Sequence, residues 1–294
     1  MSQNSLFSVL IHLRAATPGQ INNYAGYLAH AAFLDLLRQV DPALSQTLHD
    51  LNQRKPFTLS SVLDLEGGGR GGPEILRISP ARLYQLRLTS LSPEIFNTFM
   101  ARFFSLEASQ LKVRMGELLF QVVRIEGSGD SLWVGRSSFE QLADTPPARA
   151  WTFQFASPTA FSLGEQDWGG RKFSLFPDPG NLFESLAGGW NEFAPAGFLT
   201  IDKAALRQYV EKYLVVSGYQ CQTELIQIKQ HQQLGFTGQV SYKLMQKQPS
   251  PEMLATLNRL AGLALYTGVG YKTTMGMGQA RCLTVAVKRM KEEG

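Results

Sequence analysis

The chain has 294 residues, of which 44% are apolar, 18% charged and 11% aromatic, a globular profile too long for one small core, so two domains of roughly 100–150 residues are expected. The net charge of +4 does not select a polyanionic partner, but from Leu225 to Lys291 nine basic residues face the single acid Glu252, which leaves the molecule cationic toward its C-terminus. Two cysteines, Cys221 and Cys282, are too few for a disulfide framework or a structural zinc site and point to a reducing compartment, the cytoplasm. No apolar run approaches the roughly 18 residues of a membrane helix, and residues 6–13 lack the basic flank of a signal peptide.

Along the chain, Phe7, Val9, Ile11 and Leu13 alternate with Ser8, Leu10, His12 and Arg14, which predicts a strand. After Pro18-Gly19, the spacing of Tyr24, Tyr27, Leu28, Ala31, Leu34 and Leu37 predicts a helix over 21–40, ended by Asp41-Pro42. Residues 57–65 and 74–91 read as strands around a glycine-rich loop, 67–72, and 93–104 as a helix begun at Ser92. A strand or hairpin arm over 111–125 completes the order strand, helix, strand, strand, helix, strand. The second half repeats it: a strand at 151–155, a helix at 181–193, a polar stretch and a helical segment at 202–216, strands at 221–228 and 236–245, a helix at 251–266 and a strand at 280–287. Two tandem ferredoxin-like (βαββαβ) domains of α+β class follow, spanning 1–145 and 146–294, with Thr145-Pro146-Pro147 as the break between them. In the usual strand order the two cysteines fall on opposite edges of the second sheet.

The most specific local signal is the segment 268–278, with Gly268, Gly270, Gly276 and Gly278 around Tyr271, Lys272 and Thr273. Such a loop lets backbone amides approach a phosphate, and Lys272 adds a mobile charge. It is neither a Walker loop nor a dinucleotide fingerprint, because its spacing is wrong and it follows a helix. A tight helix-to-strand connection explains the glycines equally well, and the cationic surroundings favour nucleic acid.

The stretch LYTGVGYKTTMGMGQAR over 265–281 resembles the C-terminal glycine-rich signature of the CRISPR-associated endoribonucleases that cut precursor CRISPR RNA within its repeats, members of the RAMP superfamily. The resemblance extends to 155–161 (FASPTAF), to 177–190, and to Asp41-Pro42, Leu48-His49-Asp50 and Pro56-Phe57-Thr58, in order along nearly the whole chain. It implies tandem ferredoxin-like domains and cleavage without a metal or other cofactor. The RNA's own 2′-hydroxyl attacks the adjacent phosphate, leaving a 2′,3′-cyclic phosphate and a guide RNA with a repeat-derived tag. Implied partners are CRISPR repeat RNA and other subunits of an effector complex.

Such a reaction needs a base for the 2′ proton, a cation for the phosphorane and an acid for the leaving 5′-oxygen. Of the four histidines, His12 on a strand and His231 in a polar connection read as structural or solvated. His49 coincides with the family's catalytic position, and Lys55 with a lysine that some relatives use for transition-state charge. Some relatives place a tyrosine where this chain has Leu34, so Tyr27 and His30, which share a helix face, are the candidate helpers. For RNA binding, Arg70 in the first glycine loop, Arg171-Lys172, Lys272 and Arg281 are expected to line a groove, with Arg77, Arg82 and Arg87 on strands nearby. The histidine spacing suggests no metal site. A repeat-RNA-binding subunit that does not cut would carry the same fold and loop, and a ferredoxin-like small-molecule sensor would show no salt-dependent RNA affinity.

Overall fold

A computed structural model describes residues 4–22, 24–51, 53–64, 75–105, 111–228 and 231–284. The alternating segment near the N-terminus forms β1 (Ser5–Ala15), which pairs antiparallel with β6 (Leu83–Ser90) on one side and β8 (Leu118–Glu126) on the other. With β3 (Phe57–Leu59) outside β6 and β7 (Lys112–Met115) outside β8, the order is β3-β6-β1-β8-β7; β4 (Leu63–Asp64) also joins β6 and β9 (Gly135–Ser138) joins β1. Two helices, α1 (Gly26–Arg38) and α3 (Pro93–Ser105), supply Phe33, Leu37, Ile95 and Phe99 to a core shared with Ile11, Leu13 and Leu86.

The second sheet runs β13-β14-β10-β15, from β10 (Ala150–Thr159), β13 (Leu214–Ile228), β14 (His231–Leu244) and β15 (Ala280–Cys282). Both sheets place the second, third, first and fourth ferredoxin strands side by side, the tandem ferredoxin-like fold. Behind the second sheet, α5 (Pro179–Phe193) and α7 (Pro251–Thr267) bury Phe183, Leu186, Trp190, Leu257 and Leu260 against Trp151, Phe153 and Phe155. Aromatic side chains alternate inward along β10, which buries that face of the strand against α5 and α7. Cys221 and Cys282 lie on β13 and β15, at opposite edges, and both are free thiols. Among the described residues no helix is long and apolar enough to cross a membrane.

Several local expectations are corrected. The helix expected from residue 21 begins at Gly26, because 19–22 form a strand, β2 (Gly19–Asn22), paired with β5 (Ile75–Ile78). The buried face of α1 is therefore Ala29, Ala32, Phe33, Leu34, Leu36 and Leu37, which keeps Leu34 and Leu37 of the expected pattern, and Ala31 is exposed. Asp41-Pro42 ends α1 but also opens a further helix, α2 (Pro42–Asp50): the Asp41 carboxylate accepts the Leu44 amide at 2.9 Å, and Pro42 occupies the first turn, where its missing N–H costs nothing. The strand expected over 74–91 is broken at Ser79-Pro80, where the Ser79 amide donates to the Tyr84 hydroxyl at 2.7 Å. The connection between β10 and α5, for which no element is expected, contains a hairpin, β11 (Phe161–Glu165) with β12 (Arg171–Ser174). The helical segment expected over 202–216 is α6 (Lys203–Tyr213), and β13 starts directly at Leu214. A short helix, α4 (Phe139–Ala143), capped by Ser138, precedes the connection to β10.

Buried polar groups join the two sheets. The last turn of α7 leaves carbonyls unserved by its own ladder, since the Val269 amide turns away to the Gly278 carbonyl. β6 supplies the missing donors: the Arg87 guanidinium reaches the Leu265 carbonyl, and the Thr89 hydroxyl donates to the Tyr266 carbonyl at 2.6 Å. Arg87 also donates to Ser8 Oγ at 3.0 Å, Trp133 O at 3.1 Å and Gln279 Oε1 at 2.5 Å. Full burial pushes its pKa down to about 9, so it remains charged at neutral pH.

Candidate functional site

The region singled out by the sequence is assembled by α2 and the segment that follows it. Leu48 is buried and the Ser45 hydroxyl donates to the Leu34 carbonyl at 2.8 Å, which fixes α2 against α1. His49, one residue further along the last turn, consequently points outward, with 71% of its side chain exposed. Its Nδ1 lies 3.1 Å from Asp50 Oδ1. The Asp50 carboxyl is held below its ordinary range, first by the hydrogen bond from Gln46 (2.7 Å) and then by the one to His49. An ionised carboxylate only accepts, so this geometry assigns the His49 proton to Nδ1 and leaves Nε2 with a lone pair toward solvent.

Lys55 lies beneath this turn. Its ammonium donates to the Leu48 carbonyl and, at 3.2 Å each, to the His49 and Leu51 carbonyls, binding the C-terminal end of α2. Partial burial lowers its pKa, and nearby Asp50 opposes that shift. His30 stacks on Phe57 with centroids 5.7 Å apart, and Tyr27 packs between the first core and a small cluster containing Ile226 and Ile228. The neighbouring Tyr24 hydroxyl donates to Glu224 at 2.6 Å, so the β13–β14 hairpin reaches across to the start of α1.

The glycine-rich loop stands between the two sheets. The reading of its amides as an open phosphate cradle is corrected: Gly268, Val269, Gly270, Tyr271, Met277 and Gly278 donate to Ala264 O, Gly278 O, Ser185 Oγ, Ala160 O, Lys272 O and Pro158 O. Its glycines serve close backbone approach, since a Cβ at Gly278 (φ +67°) would stand 2.1 Å from the Val269 carbonyl oxygen, and Thr273 fills the space between Gly268 and Gly278. Gly276 bridges to Ser60, and Gly26 at the start of α1 packs directly on the Met275 carbonyl.

What the loop exposes is its side chains. The Tyr271 ring packs on Phe173 at 5.0 Å, with the Arg171 guanidinium 5.8 Å and the Lys272 ammonium 5.2 Å from its centroid. Lys272 adopts a left-handed backbone (φ 54°), and Lys172 is exposed beside Arg171. Arg171, Tyr271 and Lys272 therefore gather on one rim, and Lys172 follows Arg171 on β12 (Arg171–Ser174), where successive side chains alternate between faces. Arg281 is placed elsewhere, its Nε 2.8 Å from Gln154 Oε1 and its guanidinium 4.7 Å from the Trp133 ring centroid, whose other cationic neighbour is Arg87. Arg87, expected to line the groove, is instead a buried joint between the sheets. Arg70 lies outside the described residues.

One feature was not anticipated. A cleft of about 420 Å³ opens between α5, α6, β11 and the glycine-rich loop, lined among others by Arg54, Lys203, Arg207, Glu184 and Tyr271. Arg54 is five residues beyond His49, so the exposed imidazole and the cleft share one short segment. The Arg54 guanidinium lies against the α5 surface at Gly188 and Gly189.

Two tandem ferredoxin-like domains, a histidine on the first and a basic glycine-rich loop on the second define an RNA-processing class of protein. The family description "CRISPR-associated endoribonuclease Cas6" matches residues 153–280, and "CRISPR Cas6 N-terminal domain" matches 6–144. The solved structure titled "Cas6 (TTHB231) product complex" is 30% identical, with a TM-score of 0.80, over 95% of this chain and 100% of that one; the Thermus thermophilus Cas6 TTHB231 itself gives 28%, 0.70, 96% and 100%. A Cas6 TTHA0078 product complex gives 26% identity and a TM-score of 0.70, covering 95% of this chain and 99% of that one. Comparison with curated protein sequences finds no match. The chain belongs to the family of Cas6 CRISPR-associated endoribonucleases.

Proposed function

We propose that this protein cleaves precursor CRISPR RNA within its repeats by metal-independent transesterification, with His49 as general base. The observation that carries the reading is the outward His49 ring, its Nδ1 held by an ionised Asp50 and its Nε2 open to a substrate, in a chain of this family. Nε2 takes the 2′-hydroxyl proton, the 2′-oxygen forms its bond to phosphorus, and the bond from phosphorus to the 5′-oxygen breaks. The leaving oxygen receives a proton, giving a 2′,3′-cyclic phosphate and a free 5′-hydroxyl. Asp50 holds the tautomer, and Lys55 holds the backbone of the turn that carries the ring.

His30 and Tyr27 remain candidates for the acid, with Lys55 able to serve the phosphorane only by leaving its three carbonyls. Arg171, Lys172, Tyr271 and Lys272 form a rim for the RNA strand, supported by the architecture that Gly268, Gly270, Thr273, Gly276 and Gly278 allow; Arg70 and Arg281 are further candidates for phosphate contacts. The domains divide at 145/146. Subunits of an effector complex are the expected partners of the product-bound protein, in the cytoplasm. Among the described residues no group of His, Cys, Asp or Glu is disposed to hold a metal.

The test is cleavage of the cognate repeat RNA in EDTA, beside a substrate with 2′-deoxy at the scissile nucleotide. Cutting of the first and not the second is expected. Cleavage of the deoxy substrate, or its absence from the ribose substrate in EDTA but not in magnesium, would remove the mechanism.

A further inference from the structure

We propose that the cleft holding Arg54, Lys203, Arg207 and Tyr271 is a binding pocket for one unpaired ribonucleotide of an RNA strand, its phosphate on the three cations and its base against Tyr271. The inference rests on the RNA-cleaving reading above and assigns a site to it.

The charge distribution is the first reason. Lys203 and Arg207 share the Glu184 carboxylate, at 3.2 Å and 2.8 Å, and Arg207 also reaches Glu211 at 2.7 Å, so these two cations are already partly neutralised. Arg54 has no such arrangement: among the described residues it makes neither an ion pair nor a hydrogen bond, and Glu192 is the carboxylate whose field reaches it. Arg54 is half-buried, and this partial withdrawal from water lowers its pKa. A withdrawn charge of this kind is costly unless paired, and an anion that enters the cleft completes it.

The second reason is shape. A Cβ at Gly188 would stand 3.4 Å from Arg54 Nη2, and one at Gly189 3.4 Å from Nη1. That distance is ordinary van der Waals contact, so the planar fork lies directly on the α5 surface at the wall of the cleft. A guanidinium fork matches two oxygens of one phosphate. Tyr271 and Phe161 also line the cleft, whose volume of about 420 Å³ suits a nucleotide. An aromatic face beside cations is the arrangement by which unpaired bases are held irrespective of sequence. Arg54 follows His49 by five residues, so the pocket and the proposed base are carried by one segment of the chain.

The probes are a fluorescein-labelled single-stranded RNA of the repeat sequence and adenosine 5′-monophosphate, titrated by anisotropy and by competition against the full-length wild-type protein, Arg54→Gln, Arg54→Lys and Lys203→Gln. Circular dichroism and the thermal midpoint report folding, and Lys203→Gln alters a surface side chain, so at least one variant tests the pocket in a folded protein. The expected result is a tenfold or greater weakening of RNA binding for Arg54→Gln, about threefold for Lys203→Gln, and a log–log salt slope shallower by about 0.7 for each lost phosphate contact. Arg54→Lys keeps the charge without the fork and should recover only part of the affinity. Wild-type affinity and salt slope in Arg54→Gln and Lys203→Gln, with the wild type binding and cutting repeat RNA, would overturn the pocket alone. Micromolar, Arg54-dependent binding of the mononucleotide would overturn the assignment to a strand in favour of a free nucleotide. A wild type that binds no repeat RNA would overturn the functional reading and the pocket with it.

Discussion

Arg87→Met removes the guanidinium that joins the two sheets while keeping an unbranched apolar chain of similar reach. In the wild type that group serves the Leu265 carbonyl, Gln279 Oε1, Ser8 Oγ and the Trp133 carbonyl. The Trp133 carbonyl keeps a donor, because the Ser8 hydroxyl reaches it at 2.6 Å, so two buried acceptors, on Leu265 and Gln279, lose theirs. At about 1–3 kcal/mol for each unsatisfied buried group, the loss is roughly 2–6 kcal/mol, and the cation–π contact with Trp133 at 5.1 Å adds about 1 kcal/mol. Removing a fully buried charge returns part of this, since burial has already pushed its pKa down to about 9. A net destabilisation of about 2–4 kcal/mol remains. Urea denaturation followed by tryptophan fluorescence measures it, with Trp133 at the joint and Trp151 and Trp190 in the second core as reporters. A methionine variant as stable as the wild type, within about 0.5 kcal/mol, would refute the reasoning, because it would mean that packing alone joins the sheets.

Four other outcomes are expected. Asp50→Asn, which replaces the carboxylate beside His49 Nδ1 with a neutral amide able to turn either its oxygen or its NH2 to the ring, should slow single-turnover cleavage several-fold at unchanged RNA affinity, measured in parallel by anisotropy. Asp41→Ala deletes the carboxylate that accepts the Leu44 amide at 2.9 Å and should destabilise α2 by about 1 kcal/mol, visible as faster amide exchange over 42–50. Gly26→Ala would place a Cβ 2.2 Å from the Met275 carbonyl oxygen, so the glycine-rich loop must shift; a loss of about 2–4 kcal/mol in thermal or chemical denaturation is expected. Exhaustive dialysis against EDTA should leave the cleavage rate unchanged, checked against metal content by elemental analysis.

The tandem fold was legible because its strongest signals are local. Alternation along 7–14 and 151–155, and helical spacing along 181–193 and 251–266, are local patterns that recur as β1, β10, α5 and α7, with β1 buried on both faces from Ser5 to Leu13. The errors fell where tertiary contacts outweigh a local pattern. β2 looked like the first turn of a helix because its pairing partner, β5, lies more than fifty residues away, and α2 was hidden because Asp41-Pro42 ends one helix and caps the next with the same two residues. His49 stood out through resemblance rather than composition, and its outward orientation follows from Leu48 being the buried residue of that turn. The glycines of 268–278 were equally open to a ligand or a packing reading, and the hydrogen bonds of their amides favour packing. Arg54 carried no sequence signal of its own, since an arginine preceding a lysine in a polar segment is ordinary. It lies against α5 at Gly188 and Gly189, more than 130 residues further along.

The central claim concerns one imidazole, and its most direct test is the single-turnover rate of His49→Ala on the cognate repeat RNA in EDTA, with binding measured on the same preparation. A fall of about 10²–10⁴-fold with RNA affinity retained is the predicted result. A rate within a few-fold of the wild type would contradict it and move the base to another side chain.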